Sequence, residues 1–217
     1  KGLGVKELMD LIVDYLPSPA DRPPSVASVV GSEDDMELPT QSAGPLAALV
    51  FKTTADPFVG KLSLFRVYSG TLKSDSSLWN ASRNEAERVA QVFAINGKEQ
   101  EAVSAIMAGD IGAVSKLSTV VTGDTISTRE KQVTLEGLSF PRPMYQMSVH
   151  PKTKADVDKM TSSLARIIEE DPSLLVTRDA DTQQTLIGGQ GDTHLDVSVE
   201  KMKRKFGAEI ELQTPKV

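Results

Sequence analysis

Apolar residues recur at helical spacing in three segments of the chain. Intervals of three and four residues place such positions on one face of an α-helix. Pro17 and Gly207 stand where the first and third of these helices would end. We therefore predict three amphipathic helices, whose apolar positions are Leu8, Leu11, Ile12, Tyr15 and Leu16, then Val157, Met160, Leu164, Ile167 and Ile168, and finally Leu195, Val199, Met202 and Phe206.

Between residues 45 and 137 the pattern changes to short β-rich runs. Turn pairs such as Ser69-Gly70 and Gly123-Asp124 separate them. So many short strands in a small segment predict a small closed β-barrel. The runs are ALVFK, KLSLFRVYSG, SLWNAS, ERVAQVFAI, DIGAVSKL and QVTLEGL.

From residue 143 onward, strands and helices alternate. YQMSV reads as a strand, and Thr153 with Asp156 has the form of a capping box before the second helix. LLVTRD and QTLIGG read as two strands, a glycine-rich turn leads into the third helix, and AEIELQT closes the segment as a strand. The order β-α-β-β-α-β predicts a ferredoxin-like domain.

These patterns divide the chain into four parts. We predict a terminal helix of a preceding domain at residues 1–21, a linker at 22–44, a β-barrel at 45–137 and a ferredoxin-like domain at 143–217. The linker is rich in Pro, Ser and acidic residues. The first helix has an apolar face without an evident partner, which suggests an excised fragment of a larger protein. Alternatively, that helix packs on residues that come after it in the chain.

Composition narrows the function classes. The 217 residues carry a net charge of −6, so nonspecific nucleic-acid binding by the whole surface is disfavoured and any RNA contact must be local. The sequence shows neither a run of 18 apolar residues nor a signal peptide. It contains no cysteine, which fits a reducing compartment. We expect a cytoplasmic protein.

Catalytic chemistry finds little support. No phosphate loop is present, since Gly60-Lys61 lacks the required glycine spacing and is followed by Leu62. His150 and His194 are the only histidines, and no carboxylate partners stand at metal-ligand spacing. His194 could act as a general base, but a structural or interface role is favoured. We predict no catalytic, cofactor-binding or metal site.

The glycine-rich turn and the basic clusters leave alternatives open. Gly188, Gly189 and Gly191 could cradle an anion at a helix start, but a turn that needs a permissive backbone is favoured. The basic clusters PKTK and KMKRK could contact phosphate, or KMKRK could complement the helix macrodipole. Base stacking on the predicted sheet is disfavoured, since YQMSV and QTLIGG offer only Tyr145.

Several segments together resemble bacterial elongation factor G and its close paralogues. They cover its second and third domains from about residue 45 to 217, and residues 2–21 resemble the last helix of its GTP-binding domain. The matching segments are TADPFVGKLSLFRVYSGTL, AGDIGAV, TGDT, FPRPMYQMSVHPKTKADVDKM, EEDP and GGQGDTHLDVSVEKMKRKFG.

The resemblance implies a non-catalytic, ribosome-contacting and signal-coupling part of a translational GTPase that promotes translocation. GTP and Mg²⁺ would bind in the absent domain, which acts in cis. The partners would be small-subunit rRNA and ribosomal protein, with no membrane contact, and we expect a monomer. The rRNA-contact candidates are Lys61, Arg66, Lys152, Lys154, Lys201, Lys203 and Arg204. The domain-junction candidates, near the family's fusidic acid site, are Gly188, Gly189, Gln190, Gly191, Asp192 and His194.

The chain departs from the family at this junction. Family members commonly read GMGELH where this sequence reads GQGDTH, so Gln190, Asp192 and Thr193 are the departures. The departure, with an acidic insertion at residues 31–38, suggests a divergent paralogue. The alternatives are a ribosome-protection or release-type GTPase fragment, or a standalone RNA- or protein-binding module. Pro141 and Pro143 would stiffen a hinge at residues 137–143.

Overall fold

The computed structural model describes residues 2–56, 60–154 and 156–216. Residues 57–59, which belong to the TADPFVG segment of the resemblance, lie outside the described residues, as do residues 1, 155 and 217. In the described part of the chain, no helix is long and apolar enough to cross a membrane. The α-helices are α1 Val5–Tyr15, α2 Asp156–Glu170 and α3 Asp192–Phe206, and a short 3₁₀ turn spans Pro19–Asp21.

Most of the remaining structure is β-strand. In the described part of the chain the strands form one three-stranded sheet, one two-stranded sheet and two larger sheets. The strands are β1 Ser25–Val29, β2 Asp35–Leu38, β3 Ala47–Asp56, β4 Gly60–Ser69, β5 Thr71–Lys73, β6 Ser76–Asn80, β7 Glu85–Val89, β8 Val92–Asn96, β9 Glu99–Val103, β10 Ala105–Met107, β11 Ile111–Ser115, β12 Thr125–Ser127, β13 Val133–Leu135, β14 Tyr145–Pro151, β15 Leu175–Arg178, β16 Thr185–Gly189 and β17 Ile210–Gln213.

The largest sheet is the curled, barrel-like one that the short strands predict. Among the described residues its order is β7-β6-β12-β3-β4-β11-β8-β9, so β7 and β9 are its edge strands. Strand β4 shows the expected alternation, because Phe65, Val67 and Ser69 are buried while Arg66 and Tyr68 are half-buried.

The predicted linker contains strands and is wrong over those residues. Strand β1 pairs antiparallel with β2 and with β13, which lies about a hundred residues further along the chain. Ala27 and Leu38 are buried in a small core formed with residues of β3 and β13. Two short runs with few large apolar residues form a sheet here because β1 pairs with the distant strand β13 on one side and with β2 on the other.

The predicted ferredoxin-like order is confirmed. Strands β14, β15, β16 and β17 form one antiparallel sheet in the order β15-β16-β14-β17, and α2 and α3 are the two crossover helices. The core between sheet and helices contains Val149, Ile187 and Ile210 from the sheet. Its helical residues are Met160, Leu164, Ile167, Leu195 and Met202, while Ile168, Val199 and Phe206 pack partly against it. Val157, predicted on the same stripe, is exposed.

The described chain forms two compact units that interleave along the sequence. The first comprises Lys1–Leu49, Phe65–Val114 and Asp124–Gly137. The second comprises Val50–Leu64, Ser115–Gly123 and Leu138–Val217, so it contains the whole ferredoxin-like fold together with parts of β3 and β4. Helix α1 belongs to the first unit and has no buried residue, so its apolar stripe is exposed.

Candidate functional site

The glycine-rich turn joins β16 to α3 by close packing. Gly188 and Gly189 are buried in β16, and neither has a positive φ. A Cβ on Gly189 would lie 2.8 Å from Leu195 Cδ2, and one on Gly188 would lie 3.0 Å from Pro143 Cβ. Gly191 has an extended backbone with open space around a Cβ. The expected need for a permissive backbone is therefore wrong: the strand glycines are required by close packing.

His194 bridges the turn and the loop after α2. Its Nδ1 lies 3.1 Å from the Gln190 backbone nitrogen, and its Nε2 lies 3.0 Å from Asp171 Oδ2. A backbone N–H can only donate, so Nδ1 accepts and the ring proton is on Nε2, which donates to Asp171. Both ring nitrogens are thus engaged, as expected of the structural role favoured for this histidine.

Asp171 is the fixed acceptor of that bridge. Burial by itself raises its pKa, but hydrogen bonds from Ser173 and from His194 outweigh burial and hold the pKa of Asp171 below its usual value. The carboxylate is therefore charged at neutral pH and anchors His194. Asp171 belongs to the EEDP segment of the resemblance, which the sequence analysis did not connect with the glycine-rich turn.

Gln190 ties the turn to the segment that precedes the ferredoxin-like sheet. Its side-chain Nε2 donates to the carbonyls of Pro141 and Arg142, at 3.3 and 3.1 Å. Since Gly188 packs on Pro143, both Gly188 and Gln190 contact the segment at residues 141–143. A methionine, common in the family at this position, could make neither hydrogen bond.

Asp192 stabilises the first turn of α3. Its Oδ1 accepts from the backbone nitrogen of Thr193 at 2.6 Å and from the Thr193 hydroxyl at 3.2 Å. A carboxylate at a helix N-terminus complements the macrodipole and opposes binding of another anion there. The arrangement thus favours the strand-to-helix interpretation of the turn over an anion cradle.

The basic cluster KMKRK is divided among different partners. Lys201 Nζ lies 2.8 Å from Glu170 Oε2, and Lys205 forms an ion pair with the other oxygen of that carboxylate. Lys203 pairs with Glu209 at 3.3 Å, and Lys152 lies 4.0 Å from the same residue. The rRNA-contact candidates Lys152, Lys201 and Lys203 are therefore engaged within the protein to differing degrees.

The other rRNA-contact candidates differ in exposure. Lys154 and Arg204 are exposed. The Lys61 side chain is only 14% exposed and its Nζ lies 4.0 Å from Glu169, so it is poorly placed to reach a partner. Arg66 stands over the Tyr68 ring in the first unit, with its guanidinium carbon 5.4 Å from the ring centroid. Among the described residues, Lys154 and Arg204 are thus the exposed candidates of the ferredoxin-like fold for which no ion pair is seen.

Comparison with known proteins identifies both halves of the chain. Residues 45–129 match the family model of elongation factor G domain 2, and residues 140–214 match that of elongation factor G, domain III. The chain belongs to the elongation factor G family. Its structure is similar to the crystal structure of a protein from Thermus thermophilus, with 30% sequence identity and a TM-score of 0.77. The similarity covers 99% of this chain and 30% of that one.

The elongation factor G matches locate the candidate site. The glycine-rich turn, Asp171 and residues 141–143 all fall inside the domain III match. Strands β1 and β2 precede the domain 2 match and β13 follows it, so the β13-β1-β2 sheet lies outside both matched segments. Domains II and III are non-catalytic parts of the translational GTPases of this family.

Glu170, like Asp171, is a residue of this elongation factor G domain that sequence reasoning missed. Its side chain is 2% exposed and binds Lys201 and Lys205, and its Oε1 accepts from the Ala55 backbone nitrogen at 2.6 Å. Lys205 also donates to the Ala55 carbonyl at 3.3 Å. The signal that would have found Glu170 is the four-residue spacing of Lys201 and Lys205, which puts both ammonium groups on one face of α3.

Proposed function

We propose that this chain is the ribosome-contacting and signal-coupling portion of a translational GTPase that promotes translocation in the cytoplasm. GTP and Mg²⁺ would bind a separate domain of the same polypeptide, and the barrel-like domain would contact small-subunit rRNA. The ferredoxin-like domain would pass the conformational signal through the glycine-rich turn. Helix α1 would be the last helix of the GTP-binding domain, and the whole would act as a monomer.

The attachment of the glycine-rich turn to residues 141–143 carries this proposal. Gln190 binds the carbonyls of Pro141 and Arg142, and His194 holds the same turn to Asp171. A displacement of the segment that enters domain III would therefore reach α3 and the loop after α2 through direct hydrogen bonds. Proline at positions 141 and 143 restricts that segment, which suits transmission of a displacement better than a flexible tether would.

The experiment uses the longer protein that contains this chain in a reconstituted translation system. We expect ribosome-stimulated GTP hydrolysis and translocation, and a His194→Ala variant that hydrolyses GTP normally but translocates more slowly. His150→Ala is the matched control, since the His150 ring hydrogen-bonds only to Ser148 among the described residues. If His194→Ala and His150→Ala both translocate as fast as the native protein, the proposed role of the turn is contradicted. If the ribosome does not stimulate GTP hydrolysis by the longer protein, the proposed function is contradicted.

The Gln190 bonds favour a second candidate, a divergent paralogue of elongation factor G that does not promote translocation. A side chain that fastens the turn to residues 141–143 replaces an apolar one, so the junction of this chain differs physically from the common family pattern. GTP hydrolysis on the ribosome without translocation would support this candidate. Restoration of translocation by Gln190→Met would strengthen it further, because the change removes both hydrogen bonds.

A further inference from the structure

The first unit contains a cleft of about 630 Å³ between the segment after α1 and the outer face of β4. This size lies within the range of small-molecule sites. Prolines 17, 19, 23 and 24 line one side, and Arg66, Val67 and Tyr68 line the other. Prolines and a central strand have little conformational freedom, so the walls of the cleft are largely preformed.

Local contacts hold the two walls in place. The Thr40 hydroxyl donates to the Pro19 carbonyl at 3.2 Å, and a Cβ on Gly109 would lie 3.1 Å from Pro19 Cβ. The backbone nitrogen of Gly109 donates to the Val67 carbonyl at 2.8 Å. Pro19 is thus connected to β4 through Gly109, and the cleft is a built feature of this unit.

Arg22 and Arg66 are the charged residues that line the cleft, and no carboxylate lines it among the residues that the structure describes. Within the same residues, neither guanidinium has an ion-pair partner, whereas Arg83 pairs with Asp124 and Arg88 lies near Asp75. The protein has 30 acidic and 24 basic residues, so acidic partners are plentiful elsewhere. The cleft therefore keeps two positive charges unneutralised and suits an anion.

The aromatic ring and the size of the cleft narrow the class of anion. Arg66 stands over Tyr68, which packs against the β13-β1-β2 core, so the guanidinium is backed by a fixed ring. Guanidinium planes held in this way bind phosphate oxygens and stack on nucleobases. Ser25 and Thr40 add hydroxyl groups that suit sugar or base edges. A cleft of this volume has room for a ring as well as a phosphate.

We propose that this cleft binds the phosphate ester of a nucleotide, with Arg22 and Arg66 contacting the phosphate and the base lying against the Arg66–Tyr68 pair. The proposal is independent of the role of the glycine-rich turn, because the cleft belongs to the other unit. In its RNA form it rests on the rRNA contact proposed for the barrel-like domain, for which Arg66 is a candidate. A free mononucleotide and a nucleotide of single-stranded RNA share this chemistry, so the experiment distinguishes the two sources.

The test titrates the full chain with adenosine 5′-monophosphate, adenosine, sodium phosphate, a uridine tetranucleotide and a tetraglutamate peptide. Binding is measured by calorimetry and by the amide resonances of Val67 and Gly109. Arg22→Gln and Arg66→Gln are each expected to weaken nucleotide binding about tenfold, and the exposed Arg88→Gln is the matched control. For the tetranucleotide, log affinity is plotted against log salt concentration. The slope of this plot should become shallower by about 0.7 in each cleft variant.

The two sources of nucleotide give different results. Tighter binding of the tetranucleotide than of the mononucleotide, lost in both cleft variants, would assign the cleft to RNA, whereas equal binding would assign it to free nucleotide. The proposal is overturned if adenosine binds as well as its phosphate, if only phosphate ion or the acidic peptide binds, or if the cleft variants bind like Arg88→Gln. Matching thermal unfolding of the variants shows that loss of binding is not loss of fold.

Discussion

At the scale of single residues, Glu170 is a buried carboxylate of the ferredoxin-like unit with two lysine partners. Burying a carboxylate is costly unless charged or hydrogen-bonded partners compensate for lost water. Here two lysines and the Ala55 N–H surround it. Burial by itself raises the pKa of Glu170, but the ion pairs with Lys201 and Lys205 and the hydrogen bond from the Ala55 N–H outweigh burial and hold the pKa below its usual value. Glu170 therefore stabilises the folded unit in its charged form.

The variant Glu170→Gln tests this stabilisation. It keeps an acceptor for the Ala55 N–H but leaves both lysines without their counter-ion, so we expect a loss of about 2 kcal/mol in the free energy of unfolding at pH 7. The partial exposure of both lysines keeps the loss below that of a fully buried pair. Urea unfolding curves measure the difference.

The same comparison has a pH dependence with a definite sign. Because the folded-state pKa of Glu170 is lowered, its stabilisation is complete above the unfolded-state pKa and disappears as pH falls through the folded-state pKa. The stability gap between the native protein and Glu170→Gln should therefore shrink below about pH 4. Glu169→Gln, which changes a 45% exposed neighbour, should leave stability nearly unchanged at every pH. A gap that stays constant down to about pH 2 would contradict this account.

At the scale of elements, the β16–α3 turn distinguishes glycines required by packing from a glycine that is not. We expect Gly189→Ala to lower the free energy of unfolding by about 1–3 kcal/mol, since the added methyl group meets Leu195 Cδ2 and His194 Nδ1. Gly191→Ala is the matched control, with a change of less than about 1 kcal/mol because nothing lies within 4 Å of the new Cβ. Equal effects of the two substitutions in thermal unfolding would refute the packing explanation.

The β13-β1-β2 sheet provides a second prediction for an element. Leu38 is fully buried in its core, so Leu38→Ala should cost about 2–4 kcal/mol. Val26 lies on the same sheet but is 56% exposed, and Val26→Ala should change stability by less than about 1 kcal/mol. If Leu38→Ala were as mild as Val26→Ala in denaturant unfolding, the segment would behave as the linker that its composition suggests.

These elements show which parts of the fold a sequence reveals. The ferredoxin-like order was predictable because apolar periodicity, a glycine helix stop and flanking prolines are local signals. Strands β1 and β2 were missed because their partner β13 is about a hundred residues away, and pairing at that distance leaves no local trace. In the site, the glycine-rich turn was predicted from its spacing and its resemblance, but Glu170 and Asp171 were not. Their roles depend on which helix face and loop the fold brings opposite them.

At the scale of the whole molecule, the second compact unit contains residues 50–64 and 115–123 together with the ferredoxin-like fold. A rotation about residues 137–143 alone would therefore have to release Ala55 from Glu170 and Lys205. A rotation at the predicted hinge would thus depend on the contact of Ala55 with the Glu170–Lys205 ion pair as well as on the proline-restricted segment. The native contact would oppose rotation, and its loss would ease it.

Fluorescence distance measurements on the longer protein test this dependence. This chain contains no cysteine, so Lys98→Cys and Asp181→Cys, at two exposed loops in different units, give it unique labelling positions once cysteines elsewhere are replaced. We expect the label distance to differ between GTP-bound and GDP-bound states on the ribosome. Glu170→Gln should broaden the distance distribution off the ribosome, while Glu169→Gln should not. Label distances that stay constant across nucleotide states in the native protein and in both variants would exclude the rotation. If the distance changes with the nucleotide but Glu170→Gln has no effect on it, a contact other than the one between Ala55 and Glu170 opposes the rotation.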